Sequence, residues 1–380
     1  MISLDQTVRE EIRRRGRVPF AEFMAWALTH PRGGYYTTGP GRTGRSGDFL
    51  TNVQVPLYAE LLAHQLCEMW DALGSQRFTL VELGGNDGAL AEGIFRELES
   101  RGRHRSASLH LIEASPAARV AARKRLSRYP HVHLHASLED LEHIAGVEGC
   151  VYSNEFFDAL PVHRVRRIGN RLTELYVTEK EGRLVEDPGD PSTPQLAAAL
   201  AQSGVLLADG QEGEVCLAAG DVMAGVGRIL ARGFLWTADY GGSAAEVYAP
   251  HRVRGTLRSF SKHQLAESPL EAVGERDITA HVDFTRLARL GAAEGFRPLV
   301  YADQGPYWIA AGEAVLKKAV EDLSEGGRRG REVRQLVHPG AFGGAFRILI
   351  QGKNVEGIGL RAETAARLQR LGAGDLVVRG

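Results

Sequence analysis

Glu82-Leu83-Gly84-Gly85-Asn86-Asp87-Gly88 closes an apolar run that begins at Thr79, and Ala89-Leu90-Ala91 opens a helical pattern directly after it. A second apolar run, His110-Leu111-Ile112, ends in Glu113 one βαβ step later. A nucleotide-type ligand at the carboxyl end of a parallel sheet needs this combination. Glycines let the backbone approach the ligand, and the acid closing the second strand accepts hydrogen bonds from a ribose diol. A carboxylate beside the loop repels a pyrophosphate and attracts a cationic, amine-bearing ligand. S-adenosylmethionine carries a sulfonium and an ammonium group, so the E-x-G-x-x-x-G spacing is expected to hold a methyl donor. The donor-site candidates from these two runs are Glu82, Gly84, Gly85, Asn86, Gly88 and Glu113. Asn86 stands where such loops carry a middle glycine. Asparagine tolerates positive φ better than most residues, so the turn can survive the exchange. The plainer alternative is an ordinary strand–turn–helix with Asn86 or Asp87 as its cap.

In an open α/β sheet, ligands lie outside the carboxyl ends of the strands, which makes the residues after each strand site candidates. Ser137 and Leu138 follow the third strand and join the donor-site set. The fourth strand leads into Ser153-Asn154-Glu155-Phe156-Phe157-Asp158-Ala159-Leu160-Pro161, and the fifth into Asp239-Tyr240-Gly241-Gly242. Glu155 and Asp158 bring two carboxylates into one turn with two aromatics and the Asn154 amide. A methyl acceptor must be desolvated, oriented and relieved of a proton. Two carboxylates could clamp a guanidinium by charge-assisted, bidentate hydrogen bonds and polarise it. The competing reading has Glu155 or Asp158 cap a helix starting at Phe156. In Asp277-Ile278-Thr279-Ala280-His281-Val282-Asp283-Phe284, His281 beside a carboxylate could serve as a general base near neutral pH. A lone histidine is more often structural, and Asp283 could simply cap the helix that follows. His131, His133 and His135 read as a solvated edge strand, and no carboxylate pattern supports a metal site there.

The elements that must position these residues follow from periodicity. Residues 1–30 read as helical and stop at Pro31-Arg32-Gly33-Gly34. A glycine-rich loop, 35–51, is too long to be a mere connector, and a helix from Pro56 to Leu73 follows it. Strands at Phe78–Leu83, Ser108–Glu113, Val132–His135 and Cys150–Asn154 alternate with helices at Ala89–Leu98 and Pro116–Arg128. Such alternation implies an α/β fold, a mostly parallel sheet with helices on both faces. Three runs between Val165 and Glu186 look like an antiparallel meander turned at Gly169-Asn170 and Glu181-Gly182. Alternation resumes with a helix near Asp221–Ala231 and a strand from Gly233 to Asp239. Helices at Phe284–Gly295 and Glu313–Leu323 flank a strand at Arg297–Tyr301, and 325–331 reads as a charged linker. A strand at Phe346–Gln351 and a helix at Ala362–Leu371 end the chain. The expected division is an N-terminal helical segment with a lid loop (1–75), a core (76–164 and 215–320), a β-rich insertion (165–214) and a C-terminal addition (321–380).

With 380 residues, 46 Lys+Arg against 47 Asp+Glu, the chain is large enough for a sizeable core and carries no global field for nucleic acid or a membrane surface. Three widely spaced cysteines, Cys67, Cys150 and Cys216, exclude a C-x-x-C site and suggest reduced core thiols. Residues 1–20 contain Asp5, Glu10 and Glu11 and no apolar segment of the kind export signals need. A cytoplasmic protein is expected, with no nucleic-acid or membrane partner; a homodimer remains open.

Taken together, several segments resemble the MidA-like family of class I S-adenosylmethionine-dependent methyltransferases, which is related to the mitochondrial complex I assembly arginine methyltransferase. The resemblance runs through Gly34-Tyr35-Tyr36, Gly47-Asp48-Phe49-Leu50-Thr51, Leu80-Val81-Glu82-Leu83-Gly84, the Asn154–Pro161 segment and Asp239-Tyr240-Gly241. It continues through Gly255-Thr256-Leu257, Asp277–Phe284 and Gln304-Gly305. It implies a class I methyltransferase, Rossmann-like fold with N- and C-terminal additions, and methyl transfer to a protein arginine in the mitochondrial members. It also places Asn154-Glu155 where arginine methyltransferases keep the first acid of their guanidinium clamp. The loop at 35–51 becomes a lid over the donor, adding Gly47, Asp48, Thr51 and Asn154 to the donor-site candidates. Glu155, Asp158 and His281 are then the candidates for acceptor orientation and proton removal. Two segments depart from the family pattern: the donor loop at Asn86, and Thr51-Asn52-Val53-Gln54-Val55-Pro56, which lacks the acid found there and shifts the proline. The expectation is therefore a methyltransferase acting on a protein arginine or a small metabolite. The alternative is a non-catalytic partner-binding protein that keeps the fold.

Overall fold

Phe78–Leu83 (β1) is apolar toward both sides and almost wholly buried, as a central parallel strand covered on both faces must be. In the computed structural model, which describes residues 3–37, 51–144, 146–261, 264–265, 268–321 and 327–355, it lies in the interior of the main sheet. The other strands are Ala107–Ile112 (β2), Val132–His135 (β3), Val147–Asn154 (β4), Leu230–Gly242 (β5), Arg297–Asp303 (β6) and Phe346–Lys353 (β7). Their order is β3-β2-β1-β4-β5-β7-β6. The pairs β1–β2, β2–β3, β1–β4 and β4–β5 are parallel, whereas β7 runs antiparallel to both β5 and β6. An eighth strand, Val282–Asp283, pairs with the end of β5 at Gly241 and Gly242.

The chain divides into two compact units. One unit comprises Leu50–Phe156, Met223–Tyr240 and Ala288–Gly380 and carries the main sheet. The helix Pro56–Leu73 (α1) starts with proline at its first turn and stops at Gly74, in the left-handed region at φ 65°. Its Leu57, Tyr58, Leu61, Leu62 and Leu66 pack with Leu80, Leu109, Cys150 and Trp236 of the sheet in one apolar core. Ala89–Ser100 (α2) buries Leu90, Ile94, Phe95 and Leu98 in the same core, and Pro116–Arg125 (α3) adds Ala122. Gln304–Ala311 (α4), unforeseen because its apolar residues lie all around it, buries Tyr307 and Trp308 there too. Residues 328–331 of the segment expected as a linker open a helix, Arg328–Val337, and residues 325 and 326 lie outside the described residues.

The other unit comprises Met1–Phe49, Phe157–Val222 and Gly241–Leu287. Gly16, at φ 83°, splits the expected N-terminal helix into Leu4–Arg15 and Phe20–Thr29. The meander forms as expected from His163–Ile168, Arg171–Lys180 and Arg183–Gly189. Val18–Pro19 and the unforeseen Glu212–Val215 extend it to a five-stranded antiparallel sheet. Its tight turn at Glu181-Gly182 has both residues at positive φ, 51° and 75°. The helix Gln195–Gln202, only 8 residues long and mostly alanine, buries Leu196, Ala199 and Leu200 on one face and was not foreseen.

Two sequence expectations change. The strand of the supposed C-terminal addition is β7, in the interior of the main sheet, because Ile348, Leu349 and Ile350 are apolar toward both faces and fully buried. The histidine strand β3 does lie at the sheet edge, yet His133 and His135 are not merely solvated. Their rings approach His110 of β2 at 4.9 and 5.2 Å, and burial pushes the His110 imidazole down to about 4. Gly47, Asp48, most of the 35–51 loop and the expected helix at 362–371 lie outside the described residues.

Replacing Ile350 with Ala should destabilise the protein by about 2–5 kcal/mol, the usual result of truncating a core isoleucine. Urea unfolding followed by circular dichroism measures it. A change below about 0.5 kcal/mol, the level of a surface substitution, would show that β7 is not part of the core.

Candidate active site

The glycine loop is held to β2 by backbone bonds: Gly84 and Gly85 both donate to the Ile112 carbonyl, at 2.9 and 3.1 Å. Gly84 sits at φ 70°, Asn86 at 46° and Gly88 at 78°. Asn86 thus adopts the left-handed conformation the turn requires, and the exchange of glycine leaves the loop closed. Glycine is needed at the two positions before it for space. A Cβ at Gly85 would lie 2.3 Å from Leu111 Cγ, and one at Gly84 would lie 2.8 Å from Phe156 Cδ2. Asp87 serves the local structure, accepting from Ala89 N at 3.1 Å and from Arg125 Nη2 at 2.6 Å.

Glu113, half-buried at the end of β2, bridges two loops. Its Oε2 accepts from Asn86 N at 2.9 Å and its Oε1 from Ser115 N at 2.7 Å. Burial raises its pKa, against the pull of those two N–H groups. Each oxygen keeps a second lone pair, so the same carboxylate can still accept from a diol. Glu82 is buried in register with Leu111 on one side and Tyr152 on the other. Burial, reinforced by the charges of Asp87 and Glu113 and opposed by the neighbouring Tyr152 hydroxyl, pushes it up to about 8. Its Oε2 has no well-formed hydrogen bond among the described residues. An orphaned acidic oxygen beside a glycine loop suits a cationic amine. Ser137 N donates to Asp140 Oδ2 at 3.2 Å, and the Leu138 side chain lies where a Cβ at Gly225 would come within 2.3 Å. The Glu113 N–H bond to the His135 carbonyl, 3.0 Å, ties the end of β3 to this loop.

No helix begins at Phe156, so neither Glu155 nor Asp158 is a helix cap there. Glu155 instead occupies the left-handed region at φ 52°, a conformation that costs a non-glycine residue energy and is kept where the surroundings enforce it. Glu155 N donates to the Ala238 carbonyl at 3.0 Å, and Phe156 N donates to Asp239 Oδ2 at 3.1 Å. Asp239, fully buried, also accepts from its neighbour Tyr240 N at 2.8 Å. The Glu155 carboxylate receives Asn154 Nδ2 at 2.8 Å and Asn52 N at 3.3 Å, both on Oε1. Asn154 Oδ1 in turn accepts from Tyr58 Oη at 2.6 Å. Thr51, next to Asn52, is buried.

The other two acceptor-side candidates belong to the other unit. Asp158 is buried, and its carbonyl accepts from Ala280 N at 3.0 Å. His281 is half-buried, with its N–H bonded to Thr256 Oγ1 at 3.1 Å. Thr256 gives its own N–H and hydroxyl to Glu214 Oε2 at 2.8 and 2.9 Å. Asp283 is a helix cap, accepting from Arg286 N at 3.0 Å and from Ser203 Oγ at 2.7 Å. Asp277 was passed over in the sequence and is buried here, accepting from Tyr36 Oη at 2.8 Å. Sequence reasoning also missed Asn52, Tyr58 and Gln304. The available signals were the altered 51–56 segment for Asn52 and the Gln304-Gly305 pair.

Residues 61–302 match the family described as "Putative S-adenosyl-L-methionine-dependent methyltransferase". The chain is 28% identical over 325 residues to the mitochondrial protein arginine methyltransferase NDUFAF7 homologue of Drosophila melanogaster, covering 77% of this chain and 71% of that protein. It is 30% identical over 311 residues to mitochondrial NDUFAF7 of Rattus norvegicus, covering 74% and 67%. A Burkholderia thailandensis crystal structure with S-adenosyl-homocysteine bound superposes with a TM-score of 0.86 at 28% identity, over 96% of this chain and 94% of that one.

Glu82 makes a signed pH prediction. Between its unfolded value near 4.5 and its folded value of about 8, the folded state holds a proton that the unfolded chain has lost. Stability contributed at Glu82 should therefore decline as pH rises through that window. Replacing Glu82 with Gln should flatten the decline and make the protein more stable at pH 8 than the parent. Urea unfolding at pH 5.5 and 8 reads the difference; identical slopes for the two proteins would refute it.

Proposed function

The chain belongs to the S-adenosyl-L-methionine-dependent methyltransferase family that it matches over residues 61–302, and from that premise we propose that its acceptor is a protein arginine. The cofactor is S-adenosyl-L-methionine, and when bound it supplies an electrophilic methyl group on a cationic sulfur. The family match, the relatives named as methyltransferases and the S-adenosyl-homocysteine-bound neighbour favour an enzyme over a partner-binding protein without activity.

In this reading Glu113 accepts from the ribose diol, with Gly84, Gly85, Asn86 and Gly88 letting the backbone come close. Glu82 faces the positive end of the donor, whose charge favours the ionised carboxylate and draws the residue down from its raised value. Ser137, Leu138, Thr51 and Asn154 complete the donor side. Glu155 carries the acceptor proposal: a carboxylate fixed at the end of β4, in a strained backbone with Oε1 anchored by two N–H groups. A guanidinium is the acceptor group that gains most from such a carboxylate, through directed, charge-assisted hydrogen bonds. The proposal draws on Glu155 alone among the three acceptor-side candidates. The names of the relatives, which are arginine methyltransferases, support it. Those names also say mitochondrial, so they lend no support to the cytoplasmic location expected from the sequence.

Two variants separate the donor and acceptor sides. Glu113→Ala should weaken S-adenosyl-homocysteine binding about tenfold or more, the loss expected for charged hydrogen bonds, as read by titration calorimetry. Glu155→Gln should leave that affinity within about twofold and lower methyl transfer to arginine-containing peptides by about a hundredfold or more. Undiminished turnover by the Glu155 variant would exclude the guanidinium role. Transfer to a small amine or hydroxyl compound with none to arginine peptides would move the acceptor to the metabolite class.

A further inference from the structure

We propose that Asn52, Gln304 and Tyr58 are positioning residues that set the Glu155 carboxylate through a one-way relay of side-chain amides. The proposal rests on the acceptor role given to Glu155 above. Asn52 and Gln304 are both fully buried, and their amides pair reciprocally. Asn52 Nδ2 donates to Gln304 Oε1 at 2.9 Å, and Gln304 Nε2 donates to Asn52 Oδ1 at 3.0 Å. The Gln304 amide is oriented from outside the pair by donating to the Leu336 carbonyl at 3.3 Å. A carbonyl can only accept, so Gln304 has one orientation, and Asn52 must present Nδ2 to its Oε1.

The orientation then propagates. Asn52 Nδ2 also donates to Asn154 Oδ1 at 3.3 Å, where the Tyr58 hydroxyl arrives at 2.6 Å. With two donors on its oxygen, Asn154 must turn its Nδ2 toward Glu155, where it donates to Oε1 at 2.8 Å. The Asn52 backbone N–H meets the same oxygen. Reversing any one amide would set donor against donor or acceptor against acceptor in a buried network, where an unmade bond is costly. Burial pushes the Tyr58 hydroxyl well up, with the charge of Glu155 adding to it, so it stays protonated and able to donate. Among the described residues Gln304 bonds to Asn52 and to the Leu336 carbonyl, and not to Glu155. Any effect it has on that carboxylate must therefore travel through Asn52 and Asn154.

That separation supplies the test. Gln304→Met keeps length and bulk and removes the amide; Tyr58→Phe removes only the hydroxyl. The Glu155 carboxyl is followed by the 13C resonance of labelled glutamate in full-length protein with S-adenosyl-homocysteine, assigned by its absence in Glu155→Gln. Losing oriented donors should raise its titration midpoint by about one pH unit in Gln304→Met and by a smaller step in Tyr58→Phe. Methyl transfer to an arginine-containing peptide should fall roughly tenfold in Gln304→Met, with no further fall when Gln304→Met is added to Glu155→Gln. A Glu155 titration unchanged in both variants overturns the relay, as does a Gln304→Met loss of equal size with and without Glu155. Because the titration needs no acceptor, a shifted midpoint with no transfer even by the parent protein would sink the arginine proposal and leave the relay standing.

Discussion

Two carboxylates, each taking backbone N–H groups from two places at once, hold the carboxyl edge of the main sheet together. Glu113 joins Asn86 to Ser115, and Asp239 joins Phe156 to Tyr240. Where strands end, their successors leave the ladder and buried N–H groups lose their acceptors. A carboxylate offers several lone pairs and binds an N–H more strongly than a neutral carbonyl does. One acid can therefore fix two loops whose sequences have no packing reason to be rigid. The glycine loop and the Asn154-Glu155-Phe156 turn are set this way, and the space left by Gly84 against Phe156 brings the two into contact.

The same burial that makes these bonds strong sets the charge of the site. Glu82 lies deeper than Glu113, has fewer donors, and is pushed up to about 8, while Glu113, with two N–H groups on it, is raised against their opposing pull. Exposed Asp140 shows the opposite balance. With almost no burial to oppose them, the Ala136 and Ser137 N–H groups lower it. The edge of the sheet thus presents acids whose ionisation a cationic ligand would favour. That electrostatic preference is consistent with a sulfonium-bearing cofactor and not with a pyrophosphate.

The turn that carries Glu155 is built by a different device. The two N–H groups seen on the Glu155 carboxylate are neutral, from the Asn154 side chain and the Asn52 backbone, and the side-chain amides of Asn52, Asn154 and Gln304 orient one another. An amide network has direction where an apolar contact has none. The cost of holding Glu155 at positive φ is met by the Ala238 and Asp239 bonds on either side of its peptide. Strain of this kind persists where geometry serves a purpose beyond stability.

Local pattern alone determined a good deal: the strand–helix alternation from Phe78 to Asn154, the meander, and the glycine turn between the first strand and its helix. Each follows from residues close together in the chain, where apolar period, glycine placement and an acid at a strand end carry the information. The helix at Gln195–Gln202 was illegible because only two turns of it, mostly alanine, carry the pattern, and that at Gln304–Ala311 because its apolar residues show no single period. The place of β7 was equally hidden, since a strand's neighbours in a sheet are chosen by which faces can be covered, not by its own residues. Tertiary structure alone decided that Asn86 supports the turn, that Glu155 is no cap, and that Asn52 and Gln304, 252 positions apart, share two hydrogen bonds. The physical reason is that an amide's partner is fixed by burial and direction in space, and neither is written in spacing along the chain.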